Sequence, residues 1–199
     1  REEIAVLAEM STREGVLQEQ EKNIIQNIIH LKEVTADELM TPRTVVVAAQ
    51  EDMTLEEFVR DARFRSFTRI PLYTENLDDA RGYILRPSVF EQILKGRGKL
   101  RLKRLRRNFI VVYNNMSITT VWQEMLVKKE HIALVVDQFG GFDGIITMED
   151  IIEALLGLEI VDERDTSDDM QQLARDRWEH LQKELEERGE EVPGPAAER

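Results

Sequence analysis

Apolar residues along this chain fall into two stretches with the same succession of periods. Thr44 to Leu94 reads as strand, amphipathic helix, strand, strand, helix, and Phe109 to Leu156 reads the same way. In the first stretch, Val45-Val46-Val47 is a β-branched run that predicts a strand. Thr54-Leu55-Glu56-Glu57 caps a helix whose inner face is Leu55, Phe58, Val59 and Ala62. Ile70 to Tyr73 and Gly82 to Leu85 are strand-like, although Pro71 lacks a donor and is expected at a strand start or on an edge. Val89, Phe90, Ile93 and Leu94 close the unit at helical spacing. The counterparts are Phe109 to Tyr113, a helix with Ile118, Val121, Met125 and Leu126, the strand Ile132 to Val136, and Ile145-Ile146 after the Gly140-Gly141 turn. A last helix carries Ile151, Ile152, Leu155 and Leu156.

A shift of 63 residues lays Met53-Thr54-Leu55 on Met116-Ser117-Ile118, Phe58 on Val121, Ala62 on Met125, and Leu72-Tyr73 on Val135-Val136. One deletion then aligns Gly82 with Gly144 and Ser88 with Asp150. A period of this length marks a supersecondary unit that buries its core by stacking on its twin. Scaffold residues recur, but only the second copy ends in Gly144-Ile145-Ile146-Thr147-Met148-Glu149-Asp150, and that asymmetry directs the search for a ligand.

The flanks are helical. Residues 1 to about 33 carry a box, Ser11-Thr12-Arg13-Glu14, expected to cap a helix whose stripe is Leu17, Ile24, Ile25, Ile28 and Ile29. A second box, Thr35-Ala36-Asp37-Glu38, starts a short turn that Pro42 must end. Beyond Gly157 a final helix from about Ser167 to Glu187 presents Met170, Leu173, Trp178, Leu181 and Leu185, and Gly189 to Arg199 is expected to be disordered.

Composition narrows the function classes. A content of 42% hydrophobic residues over 199 positions suffices for a core. No run approaches the ~18 apolar residues of a membrane span. The chain begins with Arg1 and carries no signal series, so it is expected to be a piece of something longer. Without cysteine there is no disulfide, thiolate catalysis or cysteine-ligated zinc. The net charge of −12 argues against nucleic acid as a partner. Lys95 to Arg107 is nonetheless strongly basic and is read as a solvated linker, with anionic lipid or ligand phosphates as the alternatives.

The three histidines are scattered, and no nucleophile elbow, Walker loop or dinucleotide fingerprint occurs. What remains is Thr147-Met148-Glu149-Asp150 at a strand-to-helix junction. A purely structural account has Thr147 capping the helix and Asp150 in its first turn. The same arrangement also offers a hydroxyl, a carboxylate and helix N–H groups, which suit a ribose diol and a phosphate.

Four segments together resemble the paired CBS domains of the CorC/CNNM family. They are Thr41-Pro42-Arg43, Ser66 to Tyr73, Val135 to Asp150, and Leu158-Glu159-Ile160-Val161-Asp162-Glu163. The resemblance implies an α/β fold of two CBS repeats in a pseudo-twofold pair. It divides the chain into a helical linker from a missing membrane domain (1–38), repeat 1 (39–98), a basic linker (99–108), repeat 2 (109–163), a C-terminal helix (164–188) and a tail. It implies a non-enzymatic cytosolic module of a magnesium or divalent-cation transporter that binds Mg-ATP and forms a homodimer. The module would be soluble as a fragment and lie on the cytoplasmic face of the membrane in the full protein.

Carried over by position, Thr41, Val46, Phe67, Thr68, Arg69 and Ile70 would line the base and approach the phosphates. Thr147 and Asp150 would hold the ribose, with Ile145 and Glu149 beside them, and Mg2+ would come with the ATP phosphates. Leu85 and Ser88 occupy the equivalent first-repeat positions and supply no carboxylate, so one nucleotide per chain is expected. The alternative is a constitutive dimerisation scaffold with a pocket that binds nothing.

Overall fold

The computed structural model describes residues 2–157. The C-terminal helix and tail expected from the sequence, and the Leu158 to Glu163 segment, lie outside the described residues. Two helices open the chain, α1 (Glu2–Arg13) and α2 (Glu19–His30). The expected cap at Ser11 is instead the end of α1, where the Thr12 hydroxyl donates to the Ala8 carbonyl at 2.9 Å. That back-bonding suits a helix interior, and Gly15 at φ 75° then breaks the helix. Glu21 accepts from the Gln18 N–H at 2.9 Å and so starts α2. This helix lies against α1 and the last helix of the second repeat, where the Asn27 side chain donates to the Leu155 carbonyl at 3.1 Å, although Ile28 of the expected stripe remains exposed.

The Thr35 box behaves as expected. Glu38 accepts from the Thr35 N–H at 3.2 Å, and α3 (Ala36–Leu39) leads into β1 (Thr41–Pro42). The first repeat comprises β2 (Ala49–Gln50), α4 (Leu55–Arg60), β3 (Arg69–Tyr73), β4 (Gly82–Leu85) and α5 (Arg86–Leu94). Val45 to Val47 is therefore not a strand. The Val45 and Val46 N–H groups both donate to the Pro42 carbonyl, at 3.1 and 3.3 Å, which makes a turn. These valines are apolar because Val45 is buried and Val47 packs on the first core, so burial rather than a ladder explains the run. Pro71 lies in the central strand of the sheet β2-β3-β4. It is tolerated because β2 meets β3 only at Leu72 and Tyr73, leaving Pro71 no partner on that side.

The second repeat comprises β5 (Ile110–Tyr113), α6 (Ile118–Lys128), β6 (Ile132–Val136), β7 (Phe142–Thr147) and α7 (Met148–Leu156). Each repeat pairs its first two strands parallel and the last two antiparallel, as the duplication requires. Every side chain of β6 is buried, in keeping with a central strand covered on both faces.

The repeats also exchange their leading segments. β1 precedes the first repeat but pairs with β7, placing Thr41 opposite Ile145 and Pro42 opposite Gly144. Reciprocally, Arg107 precedes the second repeat and exchanges backbone hydrogen bonds of 2.8 and 2.9 Å with Tyr83 of β4. The aligned glycines follow from this exchange. A Cβ on Gly144 would lie 2.5 Å from the Thr41 carbonyl oxygen, and one on Gly82 would lie 2.2 Å from that of Arg107.

The basic segment is solvated along its Lys and Arg side chains, as expected, but its leucines anchor it to the first core. Leu102 is fully buried in the first core, and a 3-10 turn (Leu102–Leu105) packs beside it. The cations fold back onto acidic neighbours, with Lys103–Asp52 at 2.7 Å, Arg106–Glu51 at 2.8 Å and Arg107–Glu130 at 3.2 Å. Periodicity could not reveal this, because alternating Leu and Arg also describes an exposed strand. Between the repeats, Leu134, Val136 and Phe142 gather Val46, Leu77, Phe109 and Ile145 into a shared apolar cluster. Among the described residues, no helix is long and apolar enough to cross a membrane.

Candidate functional site

The end of β7 and the start of α7 form the second-repeat wall of a cleft. Thr147 is the N-cap, and its hydroxyl oxygen accepts from the Asp150 N–H at 3.3 Å. The Asp150 carboxylate accepts in return from the Thr147 N–H at 2.6 Å and from its hydroxyl at 2.8 Å, both through Oδ2. A nine-residue helix starting here gains from a carboxylate in its first turn. Desolvation dominates all the same, and burial lifts the Asp150 pKa from 3.8 to about 6 against the opposing Thr147 bonds. Such a carboxylate carries charge in a place that penalises it, and both of its bonds to Thr147 run through Oδ2. One expectation changes. The Met148 N–H donates to the His131 carbonyl at 3.1 Å, and the Asp150 N–H is used by the cap, so these two groups are not free for a phosphate.

The first repeat supplies the facing wall. Arg69 opens β3 and reaches across to Glu149, Nη1 to Oε1 at 3.1 Å. This ion pair joins the repeats at the cleft rim, so Arg69 is not a free cation awaiting phosphate. Thr68 is exposed, and its carbonyl accepts from the Arg86 N–H at 2.9 Å. Phe67 is half-buried against the first core. Val46 and Ile145 meet in the inter-repeat cluster, and Thr41 sits opposite Ile145 across the β1–β7 ladder. The contacts that link the expected residues across the repeats are the Arg69–Glu149 pair and the apolar cluster holding Val46 and Ile145. Ile70 is fully buried in the first core and can offer a ligand only its backbone.

Two arginines next in chain or in space to expected site residues escaped the sequence reading. Arg86 sits next to Thr68 and donates to the Arg65 carbonyl, and Arg43 pairs with Asp78 at 3.1 Å. Only the pairing of β1 with β7 and of Arg86 with Thr68 brings them near. At the equivalent helix start in the first repeat, Leu85 is the N-cap of α5 and contributes no side-chain cap. A shallow depression of about 660 Å3 lies elsewhere, lined by Lys32, Ser117, Thr119, Trp122, Gln123 and Leu126. It draws on neither first-repeat strands nor a carboxylate, so the groove has the stronger chemistry. Among the described residues, no group of three or more His, Asp or Glu could hold a metal ion.

A duplicated β-α-β-β-α unit with exchanged leading segments and a polar helix start in one copy defines a CBS-type module. Residues 102–157 match the CBS domain family. The CBS domain of a bacterial CNNM/CorC family Mg2+ transporter superposes with a TM-score of 0.73 at 32% identity, covering 81% of this chain and 98% of that one. A structure of such a domain in complex with ATP gives a TM-score of 0.66 at 31% identity, over 70% of this chain and 99% of that one. The UPF0053 protein sll1254 of Synechocystis is 34% identical over 92% of this chain and 52% of its own length. The chain belongs to the CNNM/CorC family and corresponds to its CBS-domain region. It spans about half the length of the curated relatives it matches.

Proposed function

We propose that this chain is the regulatory module of a CNNM/CorC-type magnesium or divalent-cation transporter, and that it binds an adenine nucleotide with Mg2+ in the groove between its repeats. The observation that carries this reading is the Thr147–Asp150 pair, a desolvated carboxylate whose helix neighbour Glu149 is reached by an arginine from the other repeat. A carboxylate and a hydroxyl match the two hydroxyls of a ribose, and hydrogen bonds to a charged group contribute about 1.5–3 kcal/mol each. Arg69 would turn from Glu149 to the phosphates, while Mg2+ held by those phosphates offsets their charge near Glu149. Val46, Phe67 and Ile145 would pack on the base and Thr41 would stand beside it. The relative solved with ATP supports the choice of ligand.

The groove offers binding groups and no paired nucleophile and base, so the module works without catalysis, by favouring one repeat arrangement over another when nucleotide binds. Calorimetric titration with ATP, with and without magnesium, tests this. One nucleotide per chain, tighter with magnesium, is expected. A flat titration in both conditions leaves the scaffold reading in its place.

Homodimerisation belongs to the same proposal. Leu94 on α5 and Val127 on α6 are 88% and 82% exposed, with Phe90 and Leu126 beside them on the same helices. Apolar side chains this open on both repeats suit a surface covered by a second copy. Light scattering should give twice the chain mass for the wild type and the chain mass for Leu94→Glu/Val127→Glu. A monomeric wild type at tens of micromolar would remove the dimer. In the full-length protein the module would stand on the cytoplasmic side, joined to a membrane domain.

A further inference from the structure

The pseudo-twofold relation between the repeats generates a second cleft from the same elements, and there a tyrosine crosses from one repeat to the other. Aligning Gly82 with Gly144 places Tyr83 where the groove has Ile145, and the shift of 63 residues places Phe109 at Val46 and Glu130 at Phe67. Tyr83 touches both of the other two. The Tyr83 hydroxyl donates to the Glu130 carboxylate, and the Tyr83 and Phe109 rings lie 5.5 Å apart. Arg107 completes the group, 3.2 Å from Glu130 and 5.7 Å from the centre of the Tyr83 ring. Tyr83 is only 2% exposed, although it projects from one repeat toward the other.

We infer that the second cleft is a permanent clasp: Tyr83 fills the place that a ligand takes in the first cleft and tethers its own repeat to the other through Glu130. An ordinary core tyrosine would pack within its own repeat. Here Glu130 and Phe109 come from the second repeat, and the first-repeat core does without Tyr83. The repeats are thereby held at this end by a buried tyrosine, whereas the side-chain link at the first cleft is the solvent-screened Arg69–Glu149 pair, so a ligand separates or closes them more readily there. The term ligand rests on the nucleotide reading above, whereas the clasp rests on the contacts alone.

Two measurements test it. The first is a double-mutant cycle of Tyr83→Phe and Glu130→Gln followed by thermal unfolding. Coupling across the repeats predicts that the double variant's melting point falls less than the sum of the two single falls, and strict additivity overturns the clasp. The second is the ATP stoichiometry of Tyr83→Ile/Leu85→Thr/Ser88→Asp, which copies the first cleft into the second. Two nucleotides per chain are expected against one for the wild type. One per chain, on a variant with native circular dichroism, overturns the claim that Tyr83 holds a ligand's place. Should the triple variant unfold, the single change Tyr83→Ile with adenosine as probe decides the same point, through gain or absence of a second, weaker site. A wild type that takes no nucleotide while the cycle stays coupled retires the proposed function and supports the clasp.

Discussion

At the start of α7, Thr147 and Asp150 bond to each other, and the neighbouring Glu149 pairs with Arg69 of the other repeat. At the start of α5, the same positions are Leu85, without a side-chain cap, and Ser88, while Tyr83 reaches across to Glu130. Backbone and topology are nearly the same at the two ends. What differs is the solvation state of the polar atoms. In the clasp, a tyrosine donor and an arginine both satisfy one carboxylate, so the contact is complete without a ligand. In the groove, a partly buried acid is bonded only to its own helix cap. A group held at a cost to the folded state is the more plausible place for binding than one already paired.

The largest expected effect separates the two ends directly. Asp150→Ala removes the acceptor for the ribose, and one to two charge-assisted hydrogen bonds are worth about 2–3 kcal/mol, so ATP affinity should drop roughly 30- to 150-fold. Ser88→Ala at the equivalent position should leave it within about twofold. Titration calorimetry on both variants is sufficient. Equal losses, or none from Asp150→Ala, would erase the distinction between the clefts.

The next effect is on stability and carries a sign. Because the folded pKa of Asp150 is raised, from 3.8 to about 6, the native protein holds this proton more tightly than the unfolded chain does between those pH values. The associated stability is complete below about pH 4 and is lost as pH rises through about 6. The full shift corresponds to about 3 kcal/mol, an upper bound that water near the rim reduces. Asp150→Asn should therefore melt higher than wild type at pH 7.5, and the two should converge near pH 4. Affinity should move the opposite way. Wild-type binding weakens below pH 6 as the acceptor is protonated, a dependence the Asn variant lacks apart from the titration of ATP itself. A higher-melting variant that also binds ATP as well as wild type would show that the acid has no role in recognition.

How much of this was readable from residues alone depended on the range of the interaction. The duplication, the strand and helix order after Gly82 and the Thr147 box are local patterns, and the structure reproduces them because capping and alternation are decided within four or five residues. Val45 to Val47 misled because a β-branched run reports burial as readily as extension. Ser11 misled because a threonine hydroxyl can serve the preceding turn as well as the following one. The Lys95 to Arg107 segment was read only in part for a different reason, since its acidic partners Asp52, Glu51 and Glu130 are distant in sequence. At the candidate site, the Thr147 box was legible, but the Arg69–Glu149 pair spans 80 positions and left no local trace.

That pair gives the smallest effect and the finest test of the comparison. Glu149 is 57% exposed and Arg69 21%, so solvent screens the bridge and it contributes at most about 1 kcal/mol. Its influence on binding comes from competition, because a phosphate must take Arg69 away from a carboxylate already in contact. Glu149→Gln keeps the size of the side chain, removes the competing charge and also reduces repulsion toward the triphosphate. ATP should then bind up to about fivefold tighter, and mainly without magnesium, where the uncompensated phosphates meet Glu149 directly. With magnesium saturating, the gain should shrink, since the ion offsets the same repulsion. The matching change in the clasp, Glu130→Gln, should lower the melting point and leave ATP affinity as it was. If Glu149→Gln weakened ATP equally in both conditions, Glu149 would be a direct ligand contact rather than a competitor for Arg69.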